Sequence, residues 1–507
     1  MMKKTDFTNN LMPAVSGVAT GLLQVWLYVP WLAFISIVPM LIKVYRFDSK
    51  KEYNKTVAAF LIPYYFVQCL FLITIPDVMP LPKILGYPLA AVAVFALTAW
   101  LSIIMYLPLW FYPRIRHEKS YDLVFFTLLF IVGEWLTEYI PVLSFPWSGV
   151  WLSVISKPKL FQTAALFGCR FVSLIILLSN SAAAVALYHC SKRSFLRCTA
   201  VFIGIISLNY SYGDYHVKKL KSIDNTLEST KIMVAQDNVE GAAKNHVLST
   251  EAVNSYLSII RINWQEGINF VLLPETAVPM NYDKQSQAFS QMTQFAKENN
   301  TVLVTGCFVN RDGKTYNAMY SVCAEGFCDC PYLKQVLVPF GEKIPLASLW
   351  GINTVTCAEY GDNKSLLSVN DSKIATAICI ESIYPSVIRS QVLKGAKVVC
   401  ISTNDSWFGK SYAKFAHYRH SIMRAVETGR YILRAGNCGV SAVISPWGQE
   451  LSAVRASDKT AIVADIKMIK SKNLYTYVGD IIILPGMLII ICEIYRMLKS
   501  RYIKIRA

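Results

Sequence analysis

Long apolar segments, separated by short charged ones, occupy the first two hundred residues of the chain and return near its carboxyl end. Several of them reach the length of about 20 residues that a helix needs to cross the hydrocarbon core of a membrane. We therefore predict a membrane α-helical bundle of about eight transmembrane helices. The predicted spans are 11–29, 31–44, 57–76, 84–109, 122–140, 161–188, 197–213 and 478–498. Two prolines, Pro30 and Pro39, disturb the second of these spans.

Basic residues cluster after every second predicted span, on the side that the amino-terminal Lys3 and Lys4 occupy. The loops between these clusters, around 77–83 and 141–159, carry few positive charges. The positive-inside rule then predicts that both termini are cytoplasmic and that residues 214–477 lie outside. The clusters also account for the formal net charge of +17 as a topology signal that suits anionic lipids. We therefore expect membrane lipid, and no nucleic acid, as a partner.

Short apolar runs alternate with polar, helix-permissive stretches between residues 226 and 467, in contrast to the long apolar segments elsewhere. This alternation is typical of the strands and helices of a layered α/β domain. At about 250 residues, such a domain can bury a hydrophobic core of its own. The sequence thus predicts a helical bundle at 1–214, an α/β domain at 226–467, and a last membrane helix with a basic tail at 476–507.

Three strand-like runs of the α/β domain lead into residues that can carry chemistry. VLLPE ends in Glu275, YLKQVLVPFGE carries Lys334 and Glu342, and the apolar run IATAI is followed by Cys379. A charged residue at the rim of an apolar strand is costly unless a partner meets it. A carboxylate, an ammonium and a thiol together are the parts of an activated cysteine nucleophile. Each of these residues alone also fits a surface or packing role, so the prediction rests on their combination.

The order of these motifs resembles the nitrilase superfamily, whose catalytic set is Glu-Lys-Cys. In this chain the set corresponds to Glu275, Lys334 and Cys379. The stretches LVPFGE (337–342), STNDSWFG (402–409) and RAVETGRYILRAGNCGVSAV (424–443) resemble, more narrowly, the apolipoprotein N-acyltransferase family, the membrane branch of that superfamily. The resemblance implies that the outer domain is an extracytoplasmic αββα sandwich, and that the site uses neither a metal nor an organic cofactor.

The resemblance also implies a reaction in two halves. Cys379 attacks the acyl ester of a phospholipid, Glu275 takes its proton, and Lys334 with the backbone N–H near Ile380 stabilises the oxyanion. The amino group of a diacylglyceryl-cysteine apolipoprotein then takes the acyl chain from the thioester. The setting implied is the inner (cytoplasmic) membrane of a bacterium, with the catalytic domain in the periplasm. Supporting or substrate-binding roles are implied for Glu342, Glu381, Asn404, Trp407, Arg430, Arg434 and Asn437.

Two other functions remain open at this stage. One is a membrane-tethered amidase of the nitrilase type, which would hydrolyse its thioester with water. The other is a transporter whose outer domain has lost catalysis.

Two departures from the family pattern affect substrate binding more than the thiol chemistry. Ile380 follows the nucleophile where many members have an aromatic residue, and residues 236–247 lack a tryptophan.

Two local features allow alternatives as well. Glu134 and Arg170 lie in neighbouring predicted spans, where an interhelical ion pair is favoured over contact with substrate. The stretch VCAEGFCDC contains Cys323, Cys328 and Cys330, which fit either packed thiols or a disulfide from Cys323 to one of the other two. The spacing argues against a zinc site, because a fourth ligand and nearby histidines are lacking.

Overall fold

The structure is a computed structural model of the chain. It describes residues 6–78, 82–117, 119, 121–140, 143–189, 191–239, 249–278, 286–343, 358–362, 366–455 and 458–506. The described residues divide into two compact units. The first contains the residues up to Ile73, those from Pro82 to Val217 and those from Asp480 onward. The second runs from Lys218 to Gly479 and includes the short stretch from Thr74 to Val78.

The first unit is built from α-helices, and some of the helices named below belong to the second unit. The α-helices are Asp6–Val25, Val38–Arg46, Lys50–Cys69, Lys83–Leu109, Tyr112–Ile115, Asp122–Tyr139, Ala164–Phe167, Cys169–Tyr188, Lys192–Asp224, Ser249–Ile262, Gln287–Asn299, Pro385–Leu393, Ala413–Thr428, Leu474–Val478 and Leu484–Arg506. Among the described residues, five stretches are long and apolar enough to cross a membrane. These are Lys50–Asp77, Lys83–Ile115, Cys169–Tyr188, Lys192–Asp224 and Ile481–Ser500.

The prediction of one continuous membrane helix at 31–44 is wrong. The chain there forms a 3-10 helix, Pro30–Phe34, followed by the nine-residue α-helix Val38–Arg46. Neither helix alone has the roughly 20 residues needed for a crossing, so a crossing at 31–44 would need both helices in succession. The cause is visible in the sequence, because Pro30 and Pro39 each lie in the first turn of one of the two helices. Proline fits a first turn but lacks the N–H that a helix interior requires.

A buried charge cluster lies inside the first unit, but it pairs a different glutamate from the predicted one. Arg170 Nη2 lies 2.5 Å from Glu138 Oε2, and Arg170 Nη1 lies 2.8 Å from Asp480 Oδ2. Glu134 Oε1 instead accepts a hydrogen bond from the backbone N–H of Val150 at 2.8 Å. Glu134 and Glu138 are one helical turn apart, so spacing along the chain cannot tell which of them faces the arginine.

The strands of the second unit form two sheets among the described residues. The strands are β1 Ser229–Gln236, β2 Phe270–Leu272, β3 Val302–Arg311, β4 Lys314–Cys323, β5 Gly326–Phe327, β6 Tyr332–Leu333, β7 Leu367–Val369, β8 Ser372–Ile378, β9 Val398–Asn404, β10 Ile432–Asn437, β11 Val440–Ile444, β12 Glu450–Arg455 and β13 Thr460–Lys467. One sheet has the order β13-β1-β2-β3-β4-β5, with β6 beside β4. The other has the order β12-β11-β10-β9-β8-β7.

The two sheets pack face to face, and helices cover their outer faces. Alternate residues explain this, since successive side chains of a strand point to opposite faces. In β1, Ile232 lies in the core between the sheets while Met233 packs against the helices outside. In β8, Ile374 lies in the core between the sheets and Ala375 faces the outer helices. The predicted αββα sandwich is therefore confirmed.

Parallel strands bring distant parts of the chain to one edge of each sheet. Strands β1, β2 and β3 are parallel to one another, and so are β8, β9 and β10. Cys379 directly follows β8, while Asn404 and Asn437 are the last residues of β9 and β10. Glu275 follows β2 in the other sheet by three residues. The hydroxyl of Ser402 donates to the Leu273 carbonyl at 2.8 Å, which joins the two sheets at this edge.

Candidate active site

Glu275 lies in a tight turn after β2 and is almost fully buried. Its Oε2 accepts from the backbone N–H of Asn404 at 2.8 Å, and its Oε1 accepts from Asn317 Nδ2 at 2.7 Å. The next residue, Thr276, has a φ of 45°. Gly306 of β3 packs against this turn so closely that a Cβ there would lie 2.6 Å from the Thr276 nitrogen. The carboxylate is therefore fixed by its backbone as well as by its hydrogen bonds.

Lys334 follows β6 and is only 1% exposed. Its Nζ lies 3.1 Å from Glu275 Oε1 and 2.9 Å from Glu342 Oε1. Burial alone would lower the pKa of Lys334, but the carboxylates of Glu275 and Glu342 raise it well above its ordinary value. The lysine is consequently an ammonium held between two carboxylates, a fixed positive charge rather than a proton donor.

Glu342 completes this cluster. Its Oε1 accepts from Lys334 and also from Asn317 Nδ2 at 3.2 Å, while its Oε2 accepts from the backbone N–H of Val338 at 2.9 Å. Asn317 thus bridges the same two carboxylates that Lys334 neutralises. The LVPFGE stretch folds back on itself to bring Glu342 to Lys334, eight residues earlier in the chain.

Cys379 stands at the sharp turn between β8 and the 3-10 helix Cys379–Ile383. Its φ is 52°, a left-handed conformation that costs a residue other than glycine roughly 1–2 kcal/mol. Burial raises the pKa of the Cys379 thiol, the Glu275 carboxylate adds to the rise, and the Lys334 ammonium opposes it. A thiol in this environment is protonated at rest, so a neighbouring base must take its proton when it attacks.

Glu381 ties the turn of Cys379 to the segment that carries Lys334. Its Oε2 accepts from the Ile378 N–H at 2.7 Å and from the Tyr332 hydroxyl at 2.9 Å. Its Oε1 accepts from the backbone N–H groups of Gln335 and Val336, at 2.5 and 3.1 Å. Burial raises the pKa of Glu381 to about 7, against the opposing effect of these hydrogen bonds.

Comparison with known proteins adds to this geometry. The family model of the apolipoprotein N-acyltransferase N-terminal domain matches residues 16–182, and that of the carbon-nitrogen hydrolases matches residues 225–473. The chain belongs to the apolipoprotein N-acyltransferase family. As a member of that family, it is an acyltransferase with a nitrilase-type catalytic domain.

Relatives that carry the family name are similar over most of the chain. An apolipoprotein N-acyltransferase of Pseudomonas aeruginosa (strain LESB58) is 29% identical over 381 residues, which cover 71% of this chain and 72% of the relative. One of Geobacter metallireducens is 24% identical over 493 residues, or 93% of this chain and 92% of the relative. The crystal structure of a CN-hydrolase superfamily protein from Xanthomonas campestris has a TM-score of 0.38 and 14% identity, and covers 48% of this chain and 91% of that chain.

The supporting residues predicted around the site fall into different places in this acyltransferase. Asn404 contacts Glu275 through its backbone N–H, and its Oδ1 accepts from Asn437 Nδ2 at 2.8 Å. Trp407, on the 3-10 turn that follows, is 53% exposed. Arg434 is fully buried, and its Nη2 lies 3.0 Å from Asp405 Oδ2.

Arg430 does not reach the site. It precedes β10 whereas Asn437 ends that strand, and the rise of about 3.3 Å per residue separates them by roughly 20 Å. Its guanidinium donates to backbone carbonyls there, including that of Ala396 at 2.9 Å and that of Ser471. The prediction of a site-loop or substrate-binding role for Arg430 is therefore corrected: it joins chain segments at the opposite edge of the sheet.

Three residues of the site were missed in the sequence. Asn317 is a polar residue on a buried face of β4, a signal that deserved notice because buried polar groups need partners. Asp405 and His417 are both fully buried and lie 2.8 Å apart, Oδ1 to Nδ1. Asp405 stands in the NDSWFG motif, but His417 lies twelve residues further along, and only the fold joins them.

The cysteines of the β4–β5 hairpin are free thiols in the structure. Cys323 Sγ lies 3.4 Å from the Gly326 carbonyl oxygen, and Cys328 and Cys330 are unbridged. Of the two alternatives left open in the sequence, the structure therefore contains the thiols. Within the described ranges, no group of three or more His, Cys, Asp or Glu residues is arranged to hold a metal ion.

Proposed function

We propose that this chain transfers an acyl chain from a membrane phospholipid to the amino group of a diacylglyceryl-cysteine apolipoprotein, through a thioester on Cys379. The observation that carries the proposal is the buried Glu275–Lys334–Glu342 cluster, in which the charges of Glu275 and Lys334 act on the Cys379 thiol. A base, a fixed cation and a thiol in one water-poor place are what acyl transfer through cysteine requires.

In the first half of the reaction, the Cys379 sulfur attacks the carbonyl carbon of the phospholipid ester, and its proton passes to Glu275. The carbonyl oxygen becomes an oxyanion, which the Lys334 ammonium and the N–H of Ile380 stabilise. The bond between carbonyl carbon and ester oxygen then breaks, and Glu275 returns the proton to the departing lysophospholipid. An acyl thioester on Cys379 remains.

In the second half, the free amine of the apolipoprotein attacks the thioester carbonyl and gives up a proton to Glu275. The carbon–sulfur bond breaks, and the thiolate of Cys379 receives that proton. The acyl chain is now an amide on the acceptor. Both halves use one site, so we expect ping-pong kinetics.

The proton traffic in this scheme fits the contacts of Glu275. Asn404, Asn317 and Lys334 each direct a donor at its carboxylate, at 2.8, 2.7 and 3.1 Å. These three donors favour the ionised form of the Glu275 carboxylate, which is the form that a general base must have before it takes a proton. Lys334, with its raised pKa, keeps its own proton throughout and serves as the electrostatic partner of the oxyanion.

The membrane setting is part of the same proposal. Residues 1–214 and 476–507 hold the enzyme in the inner membrane of a bacterium through about eight spans, and residues 226–467 form the catalytic domain on the periplasmic side. The distribution of basic residues between the spans supports this orientation. A site beside the outer leaflet can take its acyl donor directly from the bilayer.

The test uses the purified full-length chain in detergent micelles, with a phospholipid that carries an isotope-labelled acyl chain. We expect intact-protein mass spectrometry to show one labelled acyl adduct, mapped to Cys379 and absent in Cys379→Ala. Addition of a diacylated lipopeptide should discharge the adduct and yield labelled N-acyl peptide. Labelled fatty acid without N-acyl peptide would instead indicate a hydrolase, and full activity of Cys379→Ala would overturn the proposal.

A further inference from the structure

The backbone carbonyl of Cys379 is held by a buried polar network that the reaction scheme does not use. Ser382 Oγ donates to this carbonyl at 2.9 Å, and His417 Nε2 lies 3.0 Å from the same oxygen. The two side chains are also within 2.9 Å of each other. Ser382 belongs to the 3-10 turn after Cys379, whereas His417 comes from the helix Ala413–Thr428.

Asp405 and Arg434 hold His417 on the Nδ1 side of its ring. Its Nδ1 lies 2.8 Å from Asp405 Oδ1 and 3.0 Å from Arg434 Nη2, and it is fully buried. Asp405 in turn accepts from Thr403 Oγ1 at 2.9 Å and from Arg434 Nη2 at 3.0 Å. Burial alone would raise the pKa of Asp405, but Arg434 and His417 hold it well below its ordinary value. Donation from Nδ1 to Asp405 and from Nε2 to the Cys379 carbonyl together require the doubly protonated form of His417, whose charge the Asp405 carboxylate offsets. Strands β9 and β10 and the helix all contribute to the position of the ring.

The contact with the Cys379 carbonyl also sets the direction of the Ile380 N–H, because both groups belong to the same peptide bond. The bond between Cys379 and Ile380 is trans and planar, so its C=O and N–H point in opposite directions. Fixing the carbonyl oxygen of Cys379 on the buried side therefore aims the Ile380 N–H away from His417. A substrate must approach Cys379 from that other side, because the side of His417 is filled by buried groups.

The left-handed backbone of Cys379 makes such a restraint necessary. A φ of 52° is unfavourable for cysteine, so the turn relaxes unless surrounding contacts hold it. Rotation of the peptide plane would move the Ile380 N–H off the oxyanion while leaving the thiol nearly in place. A hydrogen bond to the carbonyl also polarises the peptide and strengthens its N–H as a donor.

We propose that His417, oriented by Asp405, is a positioning residue for acyl transfer: it fixes the peptide plane of Cys379 and Ile380 so that the Ile380 N–H meets the oxyanion. The inference rests on the proposed function, in that Cys379 is the nucleophile. It predicts that His417 affects steps with an oxyanion and spares reactions of the thiol that form none.

Two reactions of the full-length enzyme in detergent separate these effects. The first is single-turnover acylation of Cys379 by a phospholipid, followed by intact-protein mass spectrometry. The second is alkylation of Cys379 by iodoacetamide, a displacement at carbon that develops no oxyanion, followed by peptide mapping. His417→Leu removes the donor to the carbonyl, and His417→Gln retains an N–H at similar reach. Tyr418→Phe is the matched control, because it removes a hydrogen bond to Glu450 from the same helix.

We expect His417→Leu to slow acylation tenfold or more, with the half-saturating phospholipid concentration and the alkylation rate both within twofold of wild type. His417→Gln should acylate at least threefold faster than His417→Leu, and Tyr418→Phe should match wild type. Equal loss of acylation and alkylation in His417→Leu, or no rescue by glutamine, would show a merely structural role and overturn the proposal.

Ser382→Ala provides a second route to the same carbonyl if His417→Leu does not fold. It removes the other donor to Cys379, and we expect acylation to slow at least threefold with alkylation unchanged. Unchanged acylation in Ser382→Ala overturns the inference in that case. Failure of the proposed function looks different, since Cys379→Ala would then still form product whatever the His417 variants do.

Discussion

Replacing Lys334 by methionine tests the electrostatic centre of the site. Methionine keeps much of the lysine volume but removes a charge that lies 3.1 Å from Glu275 and 2.9 Å from Glu342. At an effective dielectric constant of about 20, each such pair is worth about 5 kcal/mol of Coulomb attraction. Much of this is offset by the desolvation of the ions, so removal of one buried partner costs about 3–5 kcal/mol of stability.

The catalytic effect of Lys334→Met should be larger than a general loss of stability can explain. One donor to the oxyanion disappears, which typically slows acyl transfer by about 10²–10³-fold. The two carboxylates, now unneutralised, repel each other, so one takes up a proton and the base is partly lost. Because a higher pH removes that proton, we expect the acylation rate of the variant to rise with pH over a range where that of wild type is flatter.

Single-turnover acylation between pH 6 and pH 9 measures this effect, and thermal unfolding at each pH reports whether the variant is folded. Glu342→Gln serves as the matched variant, because it leaves Lys334 paired with Glu275 alone and retains the oxyanion donor. It should lose less acylation than Lys334→Met. A folded Lys334→Met variant that acylates within threefold of wild type would refute the assignment of the oxyanion charge to Lys334.

Three further outcomes follow from packing within the α/β domain. Gly306→Ala would place a Cβ 2.6 Å from the Thr276 nitrogen, so it should shift Glu275 and slow single-turnover acylation at least tenfold. A folded variant that acylates at the wild-type rate would contradict this reasoning. Glu381→Gln should remove a pH dependence of the stability of the fold. Burial raises the pKa of Glu381 to about 7, so the protonated form of Glu381 stabilises the fold at pH 5. That stabilisation is lost as pH rises through 7. The unfolding midpoint of wild type minus that of this variant should therefore decrease from pH 5 to pH 8, and a constant difference would contradict the argument. Arg430→Met should lower the unfolding midpoint while acylation stays within threefold, and a selective loss of acylation would return Arg430 to the site.

The catalytic set shows how much of an active site can be predicted from the order of residues along a chain. Glu275, Lys334 and Cys379 could be selected because each is a reactive or charged group at the end of an apolar run, where an unpartnered charge is costly. The structure places the two charged residues in contact, 3.1 Å apart, and the charges of both act on the thiol. The alternation of apolar runs likewise predicted a layered α/β domain, and the family resemblance implied its αββα order.

Residues defined by their partners were harder to predict. Arg170 was expected to pair with Glu134 and instead contacts Glu138 and Asp480, the latter more than three hundred residues away. Arg430 and Arg434 are four residues apart in one motif, yet β10 carries Arg434 toward Asp405 and leaves Arg430 at the opposite edge. Proximity along the chain was a poor guide in both cases, because strand direction and helix rotation decide which neighbours meet.

The amino-acid sequence by itself determined which segments are apolar enough for a membrane, which runs become strands, and which residues can supply a base, a cation and a thiol. These properties are local, since they depend on the period of hydrophobic positions and on the chemistry of single side chains. Only the tertiary structure decided that Asn317 bridges the two carboxylates and that His417 reaches the backbone of Cys379. Such contacts join different strands and helices, and they exist only once the order and direction of the strands in two packed sheets are set.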